Sequence, residues 1–136
     1  MTEDQKHNLL RKDLCARFPY NVKLKVKYEN DPWTLFVMHH SEKIYVLGTK
    51  GYPIEVKLTD CQPYLRPMSS MTQEESEKFE EFLELQSEYT TGADIRFKYD
   101  MFDWLNAHHF DYRGLIEKGL AIEAPEGMYC TKHNFD

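Results

Sequence analysis

Val22-Lys23-Leu24-Lys25-Val26-Lys27-Tyr28 alternates apolar and basic side chains without a break. Successive side chains point to opposite faces only in an extended chain, so this stretch predicts a strand. Val22, Leu24, Val26 and Tyr28 would face a core and the lysines would face outward. Downstream, turn chemistry at Asn30-Asp31-Pro32 precedes two β-rich runs, Trp33 to His39 and Lys43 to Leu47, joined around His40-Ser41-Glu42 as a hairpin. The turn Gly48-Thr49-Lys50-Gly51 leads to a fourth run, Pro53 to Leu58, where Ile54, Val56 and Leu58 alternate with Glu55 and Lys57. Residues 20–66 therefore read as an antiparallel meander of four or five strands, curled toward a small SH3-like barrel. Tyr64-Leu65-Arg66 lies between Pro63 and Pro67, and each proline removes a ladder donor. That piece reads as an edge strand or an exit from the sheet.

Helices flank the meander. Thr2 and Gln5 have capping-box spacing, Glu3 and Asp4 suit the positive end of a helix dipole, and Leu10, Leu14, Arg17 and Phe18 share a stripe. These signals predict a helix over 3–18, stopped by Pro19. Thr72-x-x-Glu75 opens a second helix that carries Phe79, Phe82, Leu83 and Tyr89 on one face, with Gly92 behind it. Asp94 to Lys98 reads as one more short strand. A helix from Tyr99 or Asp100 through His109 turns Met101, Trp104, Leu105 and one of His108 and His109 inward, with Asp100 and Asp103 in its first turn. Asp111 caps a last short helix, which Gly119 ends before apolar Leu120. The expected class is α+β in one domain over 1–136: N-terminal helix, curled sheet, three helices within 72–120, and a loose tail over 125–136.

Composition narrows the setting. Apolar residues make up 41% and charged residues 29% of 136, and no apolar run approaches the ~18 residues of a membrane span. The acidic start Met1-Thr2-Glu3-Asp4 lacks the basic and apolar regions of a secretory signal. Cys15, Cys61 and Cys130 are an odd, dispersed set, as expected for free thiols in a reducing compartment, so a cytoplasmic location without membrane contact is expected. Net charge is −6, unevenly spread: residues 1–28 are basic and 73–92 strongly acidic. Overall acidity argues against a dedicated duplex-DNA binder. The acidic run Glu74, Glu75, Glu77, Glu80, Glu81, Glu84 and Glu88 could mimic nucleic acid or meet a basic partner, but reads as the solvated face of a helix.

Three constellations carry potential chemistry. His39-His40, His108-His109 and Cys130-x-x-His133 invite a metal reading, yet adjacent residues diverge in strand and helix alike, so no metal site is assigned. Asp100, Asp103 and Asp111 with His108 or His109 would serve a metal-dependent hydrolase if they converged, although aspartates at helix starts are expected for capping alone. Arg66, Trp104, Asn106, His108, His109, Asp111 and Arg113 mix aromatic, amide, imidazole, acid and guanidinium groups. Such a mixture makes a protein-recognition surface or a polar corner that locks two helices. Lys23, Lys25 and Lys27, with aromatics such as Trp33, Tyr45 or Tyr52, form the one basic face able to hold single-stranded nucleic acid or a nucleotide.

The strings Pro63-Tyr64-Leu65-Arg66-Pro67-Met68-Ser69-Ser70-Met71-Thr72 and Trp104-Leu105-Asn106-Ala107-His108-His109-Phe110-Asp111-Tyr112-Arg113-Gly114-Leu115-Ile116-Glu117-Lys118-Gly119-Leu120-Ala121 resemble a family of small uncharacterised proteins from Bacteroides-type gut bacteria and their phages. Leu14-Cys15-Ala16-Arg17-Phe18-Pro19-Tyr20 resembles that family's opening helix, whereas residues 29–58 depart from it. The resemblance implies a phage or mobile-element setting and transfers no catalytic residue. The resulting expectation is a non-enzymatic binding protein, without cofactor, that docks on a host or phage protein. Nucleic-acid or nucleotide binding stands second and metal-dependent hydrolysis third.

Overall fold

The computed structural model describes residues 1–40, 43–48, 51–88 and 93–129; of Val37, His39, His40, 86–88 and 93–98 it describes the backbone alone. The chain is α+β. Helix α1 (Glu3–Arg17) opens with the expected reciprocal cap, Gln5 N–H donating to Thr2 Oγ1 and Thr2 N–H to Gln5 Oε1. Such a cap contributes about 1 kcal/mol. The helix passes into a 3₁₀ turn at Phe18–Tyr20, where Pro19 ends the α-helical pattern. Its inward stripe is Leu10, Leu14 and Arg17; Phe18 stands 39% exposed, because the 3₁₀ turn rotates it off the stripe.

Six strands follow: β1 (Lys23–Val26), β2 (Trp33–His40), β3 (Lys43–Leu47), β4 (Pro53–Lys57), β5 (Cys61–Leu65) and β6 (Ile122–Glu123). Their order is β4-β3-β2-β1-β5-β6, antiparallel throughout except for the parallel β5–β6 pair. The sheet is thus open and mixed. The expected SH3-like closure is not formed, since β4 and β6 are the ends of the order and a sixth strand returns from the far C-terminal part of the chain. Alternation in β1 is as read: Val22, Leu24 and Val26 are buried while Lys25 and Lys27 are exposed. Tyr28 departs from it, because the strand ends at Val26 and the chain turns before Tyr28 can continue the inward face.

Pro63 sits in an interior strand rather than at an edge. Lys27 N–H donates to Asp60 O, and bonded pairs alternate along an antiparallel ladder, so Leu24↔Pro63 falls at an unbonded position and the proline turns its missing donor away from β1. Two clusters fill the interior. Leu14, Leu24, Leu35, Ile44, Val46, Leu58, Leu65 and Leu115 join others between α1 and the sheet; Met101, Leu105 and Phe110 form a second cluster with Phe79, Phe82 and Trp104.

Beyond the sheet lie α2 (Gln73–Glu88) and α3 (Ala93–Ala107). Residues 94–98 belong to α3 and not to a strand, since Phe97, Met101, Trp104, Leu105 and His108 recur at helical spacing over a window much longer than the local alternation. Asp100 and Asp103 are consequently mid-helix and exposed, not in a first turn. In place of a third helix, residues 112–119 form successive turns. These turns still close as expected: Gly119 (φ +74°) donates to Ile116 O and Leu120 to Leu115 O, a Schellman pair with its apolar contact. Leu83 is 43% exposed, so α2 buries less of its face than its pattern implies. Tyr89, Gly92, the Ser41-Glu42 turn and Cys130-x-x-His133 lie outside the described residues.

Trp33 lies flat against Gly48: a Cβ built there would fall 2.5 Å from the indole. Gly48→Ala is therefore expected to destabilise the protein by about 1–3 kcal/mol through overpacking. Urea denaturation measures the loss, and Trp33→Leu in the same chain should restore most of it.

Candidate functional site

Arg66 is the centre of the second half of the fold. Its backbone N–H donates to His109 O and its carbonyl accepts from Asp111 N–H, both at 2.8 Å, which attaches Phe110 beside the end of β5 as a parallel bridge. Its guanidinium reaches Glu75 with two bonds, Nη2 to Oε1 at 2.6 Å and Nη1 to Oε2 at 2.8 Å. Glu75 is 1% exposed, so it leaves the solvated face read for the acidic run, because its carboxylate is needed by Arg66 and the helix cap. The same carboxylate accepts Thr72 N–H while Glu75 N–H donates to Thr72 Oγ1, the capping box that starts α2. One acid thus caps a helix and neutralises a buried cation. Arg66 also lies over the Phe110 ring, 4.2 Å from its centre.

A second buried pair grips the same segment from α1. Asp13 and Arg17, both 0% exposed, meet at 2.7 Å, and Arg17 Nη2 donates to Phe110 O at 2.6 Å. Arg113 Nε stands 3.8 Å from the other Asp13 oxygen. Tyr112 lies between Arg17 and Arg113 and donates to Asn106 Oδ1. Asp111 accepts Leu115 and Ile116 N–H and so caps the turns that follow.

Most of the seven residues read as a recognition surface or polar corner are thereby engaged inside the protein. Arg66, Asn106, His109 and Asp111 are buried. Trp104 packs against Phe82, Phe110 and His108, and His108 Nδ1 bonds Trp104 O. Arg113 remains only partly covered. His109 occupies the position after the α3 C-cap with φ +64°: it donates to Asn106 O and Phe110 to Leu105 O, a second Schellman pair with histidine where glycine is usual. Its Nδ1 is buried without a hydrogen-bond partner among the described residues. Burial first, then Arg17, His108, Arg66 and Lys23, push its pKa down to about 3, so the ring is neutral.

Tyr129 covers that ring at 3.8 Å between centres, nearly parallel. Its hydroxyl accepts Lys23 N–H and donates to Tyr64 O, both at 2.8 Å. Lys23 and Tyr64 continue the β1–β5 register, so a phenol stands where a direct ladder bond would be. Burial raises the Tyr129 phenol well above its ordinary range, which keeps the donor in place. The stretch 125–129 is therefore tied to the sheet rather than loose. Its signal was an aromatic closing a glycine- and proline-containing stretch. Arg17 was legible too, as a cation on an apolar helical stripe with an acid four residues earlier.

Cys15 and Cys61 are free thiols, exposed and buried respectively, and burial followed by Asp60 pushes Cys61 up to about 12. Asp100 and Asp103 do not join Asp111, and among the described residues no three metal-ligating side chains gather. No helix of the described residues is long and apolar enough to cross a membrane. Of the basic strand, Lys23 is tied to Thr34 Oγ1 at 2.8 Å, while Lys25 and Lys27 are exposed. Trp33 and Tyr52 line a different cleft, together with Glu29 and Asp31.

Behind Arg66 opens a cleft of about 670 Å³. The 67–70 turn forms one wall, residues 123–127 the other, and Tyr129 one end. Its acids are Glu123 and Glu126, both exposed, and its one cation, Arg66, is committed to Glu75. Compared with protein-family models, curated proteins and solved structures, the chain matches none of them.

Two measurements probe this lock. Glu75→Ala leaves a buried guanidinium uncompensated and is expected to cost about 3–5 kcal/mol in urea denaturation, much of it recovered when Arg66→Met and Glu75→Leu are combined. His109 binds a proton in the unfolded chain below its ordinary 6.5 but in the folded chain only near 3. Stability is therefore expected to fall with falling pH from 6.5 downward, by about 1.4 kcal/mol per unit once the unfolded imidazole is charged. His109→Asn, which tolerates positive φ, should remove that component between pH ~6.5 and ~5, before the carboxylates titrate.

Proposed function

We propose that this is a non-enzymatic binding protein, acting by protein–protein contact, whose docking site is the cleft behind Arg66. The supporting observation is how the charged groups are divided. Arg66, Asp13, Arg17 and Asp111 are spent on holding residues 108–116 in place, whereas Glu123 and Glu126 on the cleft wall are exposed. A rigid floor, an open trough and two uncommitted acids suit an extended segment bearing lysine or arginine. Rim charges of this kind steer and select a partner more than they tighten it. In the phage or mobile-element setting that the family resemblance implies, that segment belongs to a host or phage protein.

A dodecapeptide library displayed on beads and panned against the protein tests the reading. Peptides rich in lysine and arginine should be enriched, and they should bind the Glu123→Lys, Glu126→Lys double variant several-fold more weakly, or not at all. Ala124→Trp, which fills the trough, should act likewise with the thermal unfolding midpoint unchanged. Enriched peptides that bind all three proteins equally would exclude the cleft as the docking site.

A further inference from the structure

The turn after β1 gathers features that the rest of the fold leaves unused. Glu29 N–H closes on Val26 O at 3.0 Å, and Tyr28, third in that turn, has φ +70°. A positive φ at the third position is the sign pattern of a type II turn, where glycine is the usual occupant because a Cβ is crowded there. Packing does not compensate for the crowding, since Tyr28 is 90% exposed. A strained backbone that presents a solvated ring points to a use outside the fold.

The surroundings of the ring say which use. Tyr28, Lys25 and Lys27 line a shallow cleft of about 430 Å³ floored by Leu10, Cys61 and Leu120. Lys27 Nζ lies 5.2 Å from the centre of the Tyr28 ring. Lys25 and Lys27 are exposed and, among the described residues, neither stands in an ion pair. Lys25 in β1 and Lys27 in the turn stand two residues apart and are both exposed, which lets them meet neighbouring phosphates of an extended polymer. Asp60 is the one acid in the lining, so the cations prevail. Lys23, bonded to Thr34, is not part of the site.

We propose that this turn binds single-stranded nucleic acid, with one base stacked on Tyr28 and adjacent backbone phosphates on Lys25 and Lys27. The site is separate from the cleft behind Arg66, and either can fail without the other. One ring and two cations on a chain of net charge −6 make a weak, salt-sensitive contact. With two phosphates neutralised, raising salt from about 50 to about 200 mM should weaken binding about sevenfold.

Fluorescence anisotropy with labelled oligo-dT and oligo-rU tests this on the full chain. Tyr28→Gly should lower affinity about fivefold or more by removing the stack, while its melting temperature stays constant or rises because glycine relieves the turn. The Lys25→Glu, Lys27→Glu double variant should abolish retention, and Lys78→Glu on α2, a like change of charge elsewhere, should leave it intact. The proposal is overturned by wild-type protein that retains neither oligonucleotide at low salt, or by Tyr28→Gly binding as wild type. Equal displacement by duplex DNA, which offers charge without accessible bases, or a lowered melting temperature in Tyr28→Gly would overturn it as well.

Discussion

Burying a guanidinium costs several kcal/mol unless a carboxylate and further acceptors meet it, and Arg66 is met on every side. Glu75 supplies both oxygens, and the carbonyls of Ser70 and His108 lie at 3.4 Å from its nitrogens. The consequence is geometric. Glu75 can reach Arg66 only if α2 begins at Thr72, and the Arg66 backbone can bond His109 and Asp111 only if α3 ends where it does. One side chain thereby sets the relation among the sheet, α2 and the chain leaving α3. From the opposite side Arg17, held by Asp13, clamps the Phe110 carbonyl. Phe110 is completely buried, with Arg17 on its carbonyl and Arg66 over its ring.

The demand for these partners explains where the conspicuous residues went. His108, His109, Asp111 and Arg113 crowd one short segment because that segment joins α3 to the returning strand and must satisfy its own polar backbone in a buried place. His109 illustrates the compromise: it takes a left-handed backbone that suits glycine, and its ring sheds its charge to be buried beside Tyr129. What remains for outside contact is the opposite of what residue type suggests. Among the exposed features are an acidic trough wall and a tyrosine on a tight turn, while His109, Arg17 and Arg66 are interior.

Legibility in the sequence followed the range of the interaction. The alternation from Val22 to Val26, the capping boxes at Thr2 and Thr72, and the glycine stop at Gly119 depend on neighbours within a few residues, and each could be read directly. Asp94 to Lys98 was misleading because five residues satisfy a period of two or of 3.6 about equally well, and only the longer window through His108 decides. Pro63 in an interior strand depends on which side of β5 carries the bonded pairs, a register that no local rule supplies. The candidate site was half legible. Arg66, His109 and Asp111 stood out by type, but the pairing of Arg66 with Glu75 and the cover of Tyr129 over His109 are three-dimensional and have no local signal.

Tyr129 also makes one end of a strand pairing depend on a residue far along the chain. Its hydroxyl completes the seam between Lys23 and Tyr64 from a position 106 residues beyond Lys23, so a growing polypeptide carries an incomplete seam until that phenol has left the ribosome. Leu24, Lys25 and Val26 pair with β5 directly, and it is the Lys23 end of the seam that passes through the phenol. That end of the β1–β5 seam therefore waits on the arrival of a single oxygen atom.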